Sequence, residues 1–405
     1  MNVARFLTTG LSVVIALAGG GGPTAAGGFG RRPSLGDPLE GLTRDQLQLF
    51  IDGKEVFEEE EATTDGLGPI FNDVGCAACH SAPVVGGGSP LNETRAARLT
   101  GNNYFEFPGG SLFQTQAISA NCAEAVPSDA NVRALRQTQP LFGSGLIEAI
   151  PDRSLEIYRL LQAKLHPAQA GRVHRVVDVM TGASRVGRFG WKAQQATLLA
   201  FSGDAYLNEM GITSPRFPTE NAPNGDLAKL TACDTVPDPE DEGEDVEAFA
   251  NFMRLLAPPP RQYSGRRDSD RQDGDRFSQS GISLLNRAER LFESVGCGVC
   301  HRSGFIAVSR IAAIHGKRVD AFSDFLLHDV GTGDGIIQGG ARGSEFRTPP
   351  LWGISDSAPY LHDGSAQTIP NAIERHGNQG AAARNAFREL SFAERDVLLK
   401  FLDSI

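Results

Sequence analysis

Cys76-Ala77-Ala78-Cys79-His80 and Cys297-Gly298-Val299-Cys300-His301 are two copies of one frame, Cys-x-x-Cys-His, in a chain with only 6 cysteines and 8 histidines. This frame is the attachment site of a c-type haem. The chemistry sets the spacing. Two thiols add across the vinyl groups of the porphyrin, and the adjacent histidine turns under the ring to bind iron. Zinc is the main rival. It asks for both cysteine pairs close together, or a histidine with its own helical spacing, and the two frames lie in opposite halves of the chain. A thioredoxin-like pair is the other rival. It expects a βαβ setting and no obligatory histidine. The pentads therefore predict two covalent haems, bound through Cys76, Cys79 and His80, and through Cys297, Cys300 and His301.

Working outward, the pentads sit in a repeat. Ile70-Phe71-Asn72-Asp73-Val74-Gly75 precedes the first, and Leu291-Phe292-Glu293-Ser294-Val295-Gly296 the second. Thr138-Gln139-Pro140-Leu141-Phe142-Gly143 is mirrored by Thr348-Pro349-Pro350-Leu351-Trp352-Gly353, and Phe189-Gly190-Trp191 by Tyr360-Leu361-His362. Apolar spacing marks a helix ahead of each pentad, with Leu47, Phe50, Ile51, Val56 and Phe57 in one and Leu284, Leu285, Ala288, Leu291 and Phe292 in the other. Each half closes on a helical segment, 246–257 and 391–402, the second opening with the capping box Ser391-x-x-Glu394. The expected fold is mainly α, with two cytochrome c-like domains, each wrapping a covalent haem, and long loops. The first half carries extra loops between Pro83 and Ala130.

The expected divisions are a leader at 1–26, an N-terminal domain at 35–260, a linker at 261–281 and a C-terminal domain at 282–405. Pro258-Pro259-Pro260 stops a helix before the polar linker. The leader has one positive charge, an apolar stretch and small residues at Thr24-Ala25-Ala26, the pattern of a secretory signal peptide. It is too short for a stable span, and no later stretch supplies a transmembrane segment. Periplasmic placement is the expectation. There Cys122 and Cys233 default to a disulfide, closing a long loop worth up to about 4.7 kcal/mol. Two free buried thiols are the alternative. The chain has 405 residues, 40% hydrophobic and 21% charged, with a net charge of −11. That balance supports globular cores and argues against nucleic-acid binding, which needs a basic face. Residues 234–247 carry eight acidic groups and no basic ones. They read as a solvated acidic loop that attracts a basic electron donor, because the spacing fits no EF-hand.

At these residues the chain resembles the bacterial diheme cytochrome c peroxidases, and more closely the di-haem oxidoreductase, or thiol-oxidoreductase-like, family. The resemblance runs from about Leu42 to the C-terminus. It is carried by Asp65-Gly66-Leu67-Gly68-Pro69 through His80, Phe189 to Gln194, Phe322 to Gly331, and Phe346-Arg347-Thr348-Pro349-Pro350-Leu351 through Ala358-Pro359-Tyr360-Leu361-His362-Asp363-Gly364 to His376. The resemblance implies a catalytic N-terminal haem and a six-coordinate C-terminal haem that passes electrons. The family's sixth ligand lies fourteen residues after the histidine of His-Asp-Gly. It is Met in the peroxidases, and counting from His362 lands here on His376. A surface helical residue is the competing reading, with Met180, Met210 and Met253 as other ligands. The distal histidine of many peroxidases has no counterpart between His80 and His166, which implies an open first iron.

Glu209, followed by Met210, takes the family's acid–base role, against the reading of a helix-surface carboxylate. Trp191 takes the place of the tryptophan between the haems, against that of a core residue. Its neighbours Gly190 and Lys192 depart from the family frame. His328, His362 and Arg347 fall near the second haem, and His166, His174 and His315 read as ordinary histidines. The implied function is peroxidase-like oxidoreduction. Electrons come from a small periplasmic donor, a cytochrome c or cupredoxin, and go to peroxide or dioxygen. A non-catalytic electron carrier and a diheme oxygenase or protein-modifying enzyme are the alternatives. The resemblance also implies calcium between the domains, with no ligands located.

Overall fold

In a computed structural model, residues 34–261 and 279–405 are described, with side chains omitted for 279–286. The leader and most of the linker lie outside the described residues. The first helix, α1 (Arg44–Phe57), starts at Thr43 in a capping box with Gln46. The pentad cysteines bound a single turn, α2 (Cys76–Cys79). Then follow α3 (Ser144–Glu148), α4 (Asp152–Leu165), α5 (Leu198–Ala205), α6 (Leu227–Cys233) and α7 (Glu244–Leu255). After the linker come α8 (Gln279–Ser294), α9 (Ile369–Glu374), α10 (Ala381–Glu389) and α11 (Phe392–Leu402). Gln279 to Gly281, read as the end of the linker, already belong to α8. The expected capping box of α11 is present, with Ser391 and Glu394 each accepting from the other's backbone N–H. The described residues are mainly helical, with short strands.

The region read as loops holds an antiparallel sheet instead. Strand Asn92–Thr100 pairs with Asn103–Phe105, Leu112–Phe113 and Val132–Gln137. The Asn92–Thr100 sequence does not alternate apolar and polar residues. Its burial is concentrated in adjacent Ala96 and Ala97, so the period-2 signal of a strand is missing.

The first core forms where α1 crosses α7. A Cβ on Gly53 would stand 2.4 Å from the Ala248 carbonyl oxygen, so only glycine admits this approach. Phe57 packs on Phe252 at 4.9 Å and Phe249 at 6.2 Å. Burying each such ring contributes up to about 2–3 kcal/mol. Leu47 and Ile51, read as part of this face, are exposed; Phe50, Gly53 and Phe57 carry it. The core also draws Phe305, Ile314 and Phe325 from the C-terminal half. A second core gathers Phe292, Phe322, Phe387, Leu398 and Phe401.

The duplication is visible in the backbone. Phe189 bridges Gln195, and Tyr360 bridges Ala366, each across six residues. The residue after each bridging aromatic lies in the left-handed region, Gly190 at φ 74° and Leu361 at φ 72°. Gly143 and Gly353 match at 70° and 67°. Thr197 and Thr368 then cap α5 and α9 in the same register.

Candidate functional site

One cavity of about 930 Å³ is lined by both pentads, by His376, and by Trp191, Glu209 and Arg347. The four pentad thiols are unbridged, whereas Cys122 and Cys233 form a disulfide with Cα atoms 5.9 Å apart. The disulfide cysteines do not line this cavity.

Three histidines share one device. His80 Nδ1 donates to the Gly87 carbonyl at 3.1 Å, His301 Nδ1 to that of Phe322 at 3.0 Å, and His376 Nδ1 to that of Ala372 at 2.8 Å. A carbonyl oxygen only accepts, so Nδ1 carries the proton and Nε2 keeps its lone pair for a metal. Burial pushes His80 and His301 down to about 4, and His376 adds to the effect on His301. Burial lowers His376 as well. All three stay neutral at pH 7, the state that binds iron. His376 and His301 both line the cavity.

The first pocket contains Glu209. Asn72 Nδ2 donates to its Oε2 at 2.7 Å. Glu209 sits in a π-helical turn, Tyr206–Met210, that continues α5. Such turns recur at functional sites. Burial, reinforced by Glu93, pushes its carboxyl up to about 7, while Asn72 and Arg95 oppose the shift. Glu209 lines the cavity together with the first pentad, and the Cys79 thiol there is raised to about 12, by burial first and then by Glu209 and Asp73. Its carboxylate therefore faces the cavity, not the helix surface.

At the seam, Trp191 and His362 come from equivalent positions of the two repeats and meet edge to face at 6.3 Å. Trp191 Nε1 donates to the Gln137 carbonyl at 2.8 Å, and Phe346 stacks on His362 at 4.2 Å. Arg347 is buried with neutral partners, the carbonyls of Gly190 and Thr348 and the side chain of Gln139. Burial lowers it to about 10. A guanidinium with no carboxylate partner among the described residues, facing this cavity, suits the carboxylate arms of a haem. The donors present therefore fit two haems.

Tyr158, Gln162, Asp324, Asp334 and Arg136 had no sequence signal. Tyr158 and Gln162 of α4 donate to the Val299 carbonyl at 2.8 and 2.6 Å, fastening the second pentad to the first half. His328 Nε2 donates to Asp324 at 2.9 Å. Burial works against its charged form, but Asp324 outweighs burial and holds His328 well above its ordinary value. Asp334 joins Lys192 at 3.1 Å and Arg136 at 2.8 Å, all three buried. Of the three methionines considered as ligands, Met210 and Met253 line the cavity and Met180 does not. His174 is a buried core histidine bonded to the Lys192 carbonyl and the Gly340 N–H.

The sequence profile of the family described as "Di-haem oxidoreductase, putative peroxidase" matches residues 111–405. The chain belongs to this family. It is 24% identical over 177 residues to the methylamine utilization protein MauG of Methylophilus methylotrophus, covering 40% of this chain and 46% of that one. It is 25% identical over 135 residues to the cytochrome c551 peroxidase of Nitrosomonas europaea, covering 32% and 36%. The chain thus spans less than half the length of either relative. Among solved structures, the diheme peroxidase BthA of Burkholderia thailandensis aligns over 88% of this chain and 85% of its own, with 14% identity and a TM-score of 0.40. Among the described residues, no helix is long and apolar enough to cross a membrane.

Proposed function

We propose that this di-haem oxidoreductase is an exported, periplasmic c-type enzyme that reduces peroxide. Residues 35–260 carry the haem that meets the oxidant, and 282–405 the haem that receives electrons. Cys76 and Cys79 hold the first, with His80 on its iron. Cys297 and Cys300 would hold the second, with His301 and His376 as the residues that would bind its iron. Bound haem supplies an iron that exchanges single electrons and, where one face is free, takes a small oxidant.

One observation carries the reading. The repeats keep register from Trp191 and His362 through the caps Thr197 and Thr368. In that register Ala205, which lines the cavity, stands where the second copy has His376. A methyl group cannot bind iron, so the first copy supplies no sixth ligand there. Four residues on, where the vacancy is useful, stands Glu209.

Reducing hydrogen peroxide to two waters consumes two electrons and two protons. Glu209, as carboxylate, takes a proton from the inner peroxide oxygen and returns it to the departing one. Asn72 holds the carboxylate in place. A small donor, a cytochrome c or cupredoxin, supplies the electrons, and Trp191 lies at the seam they cross. The test is peroxide turnover by the holoprotein with a reduced donor, beside E209Q. Turnover lost in the variant supports the reading; irons that both refuse cyanide in the wild type overturn it.

A further inference from the structure

Outside the large cavity, Glu220, Asp238 and Glu240 bring one carboxylate oxygen each to within 4.8 Å of one another. Glu220 is 8% exposed. Its Oε1 accepts from the Asn221 N–H at 2.8 Å, but its buried Oε2 has no hydrogen-bond partner. Leaving a buried carboxylate oxygen unpaired beside two further carboxylates is costly. Among the described residues none of the three enters an ion pair. Among the described residues, the only side chain that bonds two of them is neutral: Thr213 Oγ1, fully buried, lies 2.5 Å from Glu240 Oε2 and 3.2 Å from Asp238 Oδ1.

We propose that Glu220, Asp238 and Glu240, with the Thr213 hydroxyl, bind a divalent cation of the calcium class. The donors are all hard oxygens, with no thiolate or imidazole among them, which selects calcium over zinc or copper. Three carboxylates from two segments of the chain allow the variable coordination that calcium accepts and magnesium resists.

The surroundings hold the cluster in place. The acidic stretch is not the freely solvated loop its composition suggests. It leaves α6 at the disulfide-bonded Cys233. It ends at buried Asp241, which accepts from the N–H groups of Gly243 and Asp245 at the start of α7 at 2.9 and 3.2 Å. Glu240 Oε2 also accepts from the Thr213 N–H at 2.9 Å. Thr213 follows Glu209 by four residues, so the cation would fasten the exit of the π-helical turn to the acidic loop.

The test is metal content of the holoprotein by atomic emission after equilibration with micromolar calcium, for the wild type, E220Q and D238N. Asp238 is exposed, so D238N carries the test if E220Q fails to fold. The proposal predicts one calcium per chain fewer in either variant than in the wild type, with the visible spectrum unchanged. Equal calcium in the wild type and D238N would overturn it, whatever calcium the chain holds elsewhere. So would retention of the same ion count when magnesium alone is supplied.

Discussion

The side-chain amide of Asn72 donates to Glu209 Oε2 at 2.7 Å, across 137 positions of sequence. Asn72 lies four residues before the first pentad cysteine. The segment that anchors the pentad thus also grips the carboxylate proposed to move the proton. The backbone repeats the link, since the Asn72 N–H donates to the Glu209 carbonyl at 2.7 Å.

Replacing Glu209 with Gln keeps this contact and removes the base. Turnover of peroxide should fall by about 10²–10⁴-fold, with the haem spectrum unchanged. In the wild type, burial holds the carboxyl near 7. The base form is the active one, so kcat/KM rises with pH through about 7, and this limb should vanish in E209Q. A pH profile of both proteins checks it.

His376→Met changes the second iron's ligand while leaving the first pocket alone. Methionine ligation raises the potential relative to histidine. A redox titration should show one of two haems shifting upward and the other holding. Two unmoved potentials would place the sixth ligand elsewhere.

Asp334 is the carboxylate shared by two buried cations, Arg136 and Lys192. Burial lowers Lys192 to about 8 even with Asp334 present. D334N leaves two buried charges short of their counter-ion and should cost about 3–5 kcal/mol. Denaturant unfolding of the holoprotein measures it.

C122S breaks a disulfide that stands apart from the cavity. Stability should fall by about 2–4 kcal/mol, while peroxide turnover per folded molecule stays at the wild-type level. Loss of turnover in folded C122S would favour a thiol-based reaction.

The pentads, the repeat and the capping box at Ser391 were legible, because each is a local pattern with a fixed physical reason, whereas His376 came from the family count after His-Asp-Gly and the structure puts it in the cavity lining. The sheet at 92–137 was not. Its strands bury small or isolated residues, and the alternation that reveals a strand never develops. Arg136 and Lys192 were missed as interior groups, since their residue types usually mark surface, and only the fold brings Asp334 to them. Tyr158 and Gln162 act across the two halves, and no sequence spacing reports such a contact. The acidic loop misled because composition counts charges without showing that Asp241 caps a helix and Glu240 turns inward.

The central claim is that the two irons differ in ligation, Ala205 leaving one open where His376 closes the other. Electron paramagnetic resonance of the ferric holoprotein reads both at once. One high-spin signal beside one low-spin, bis-histidine signal is the predicted spectrum. Two low-spin signals of equal weight, with no high-spin component, would contradict it.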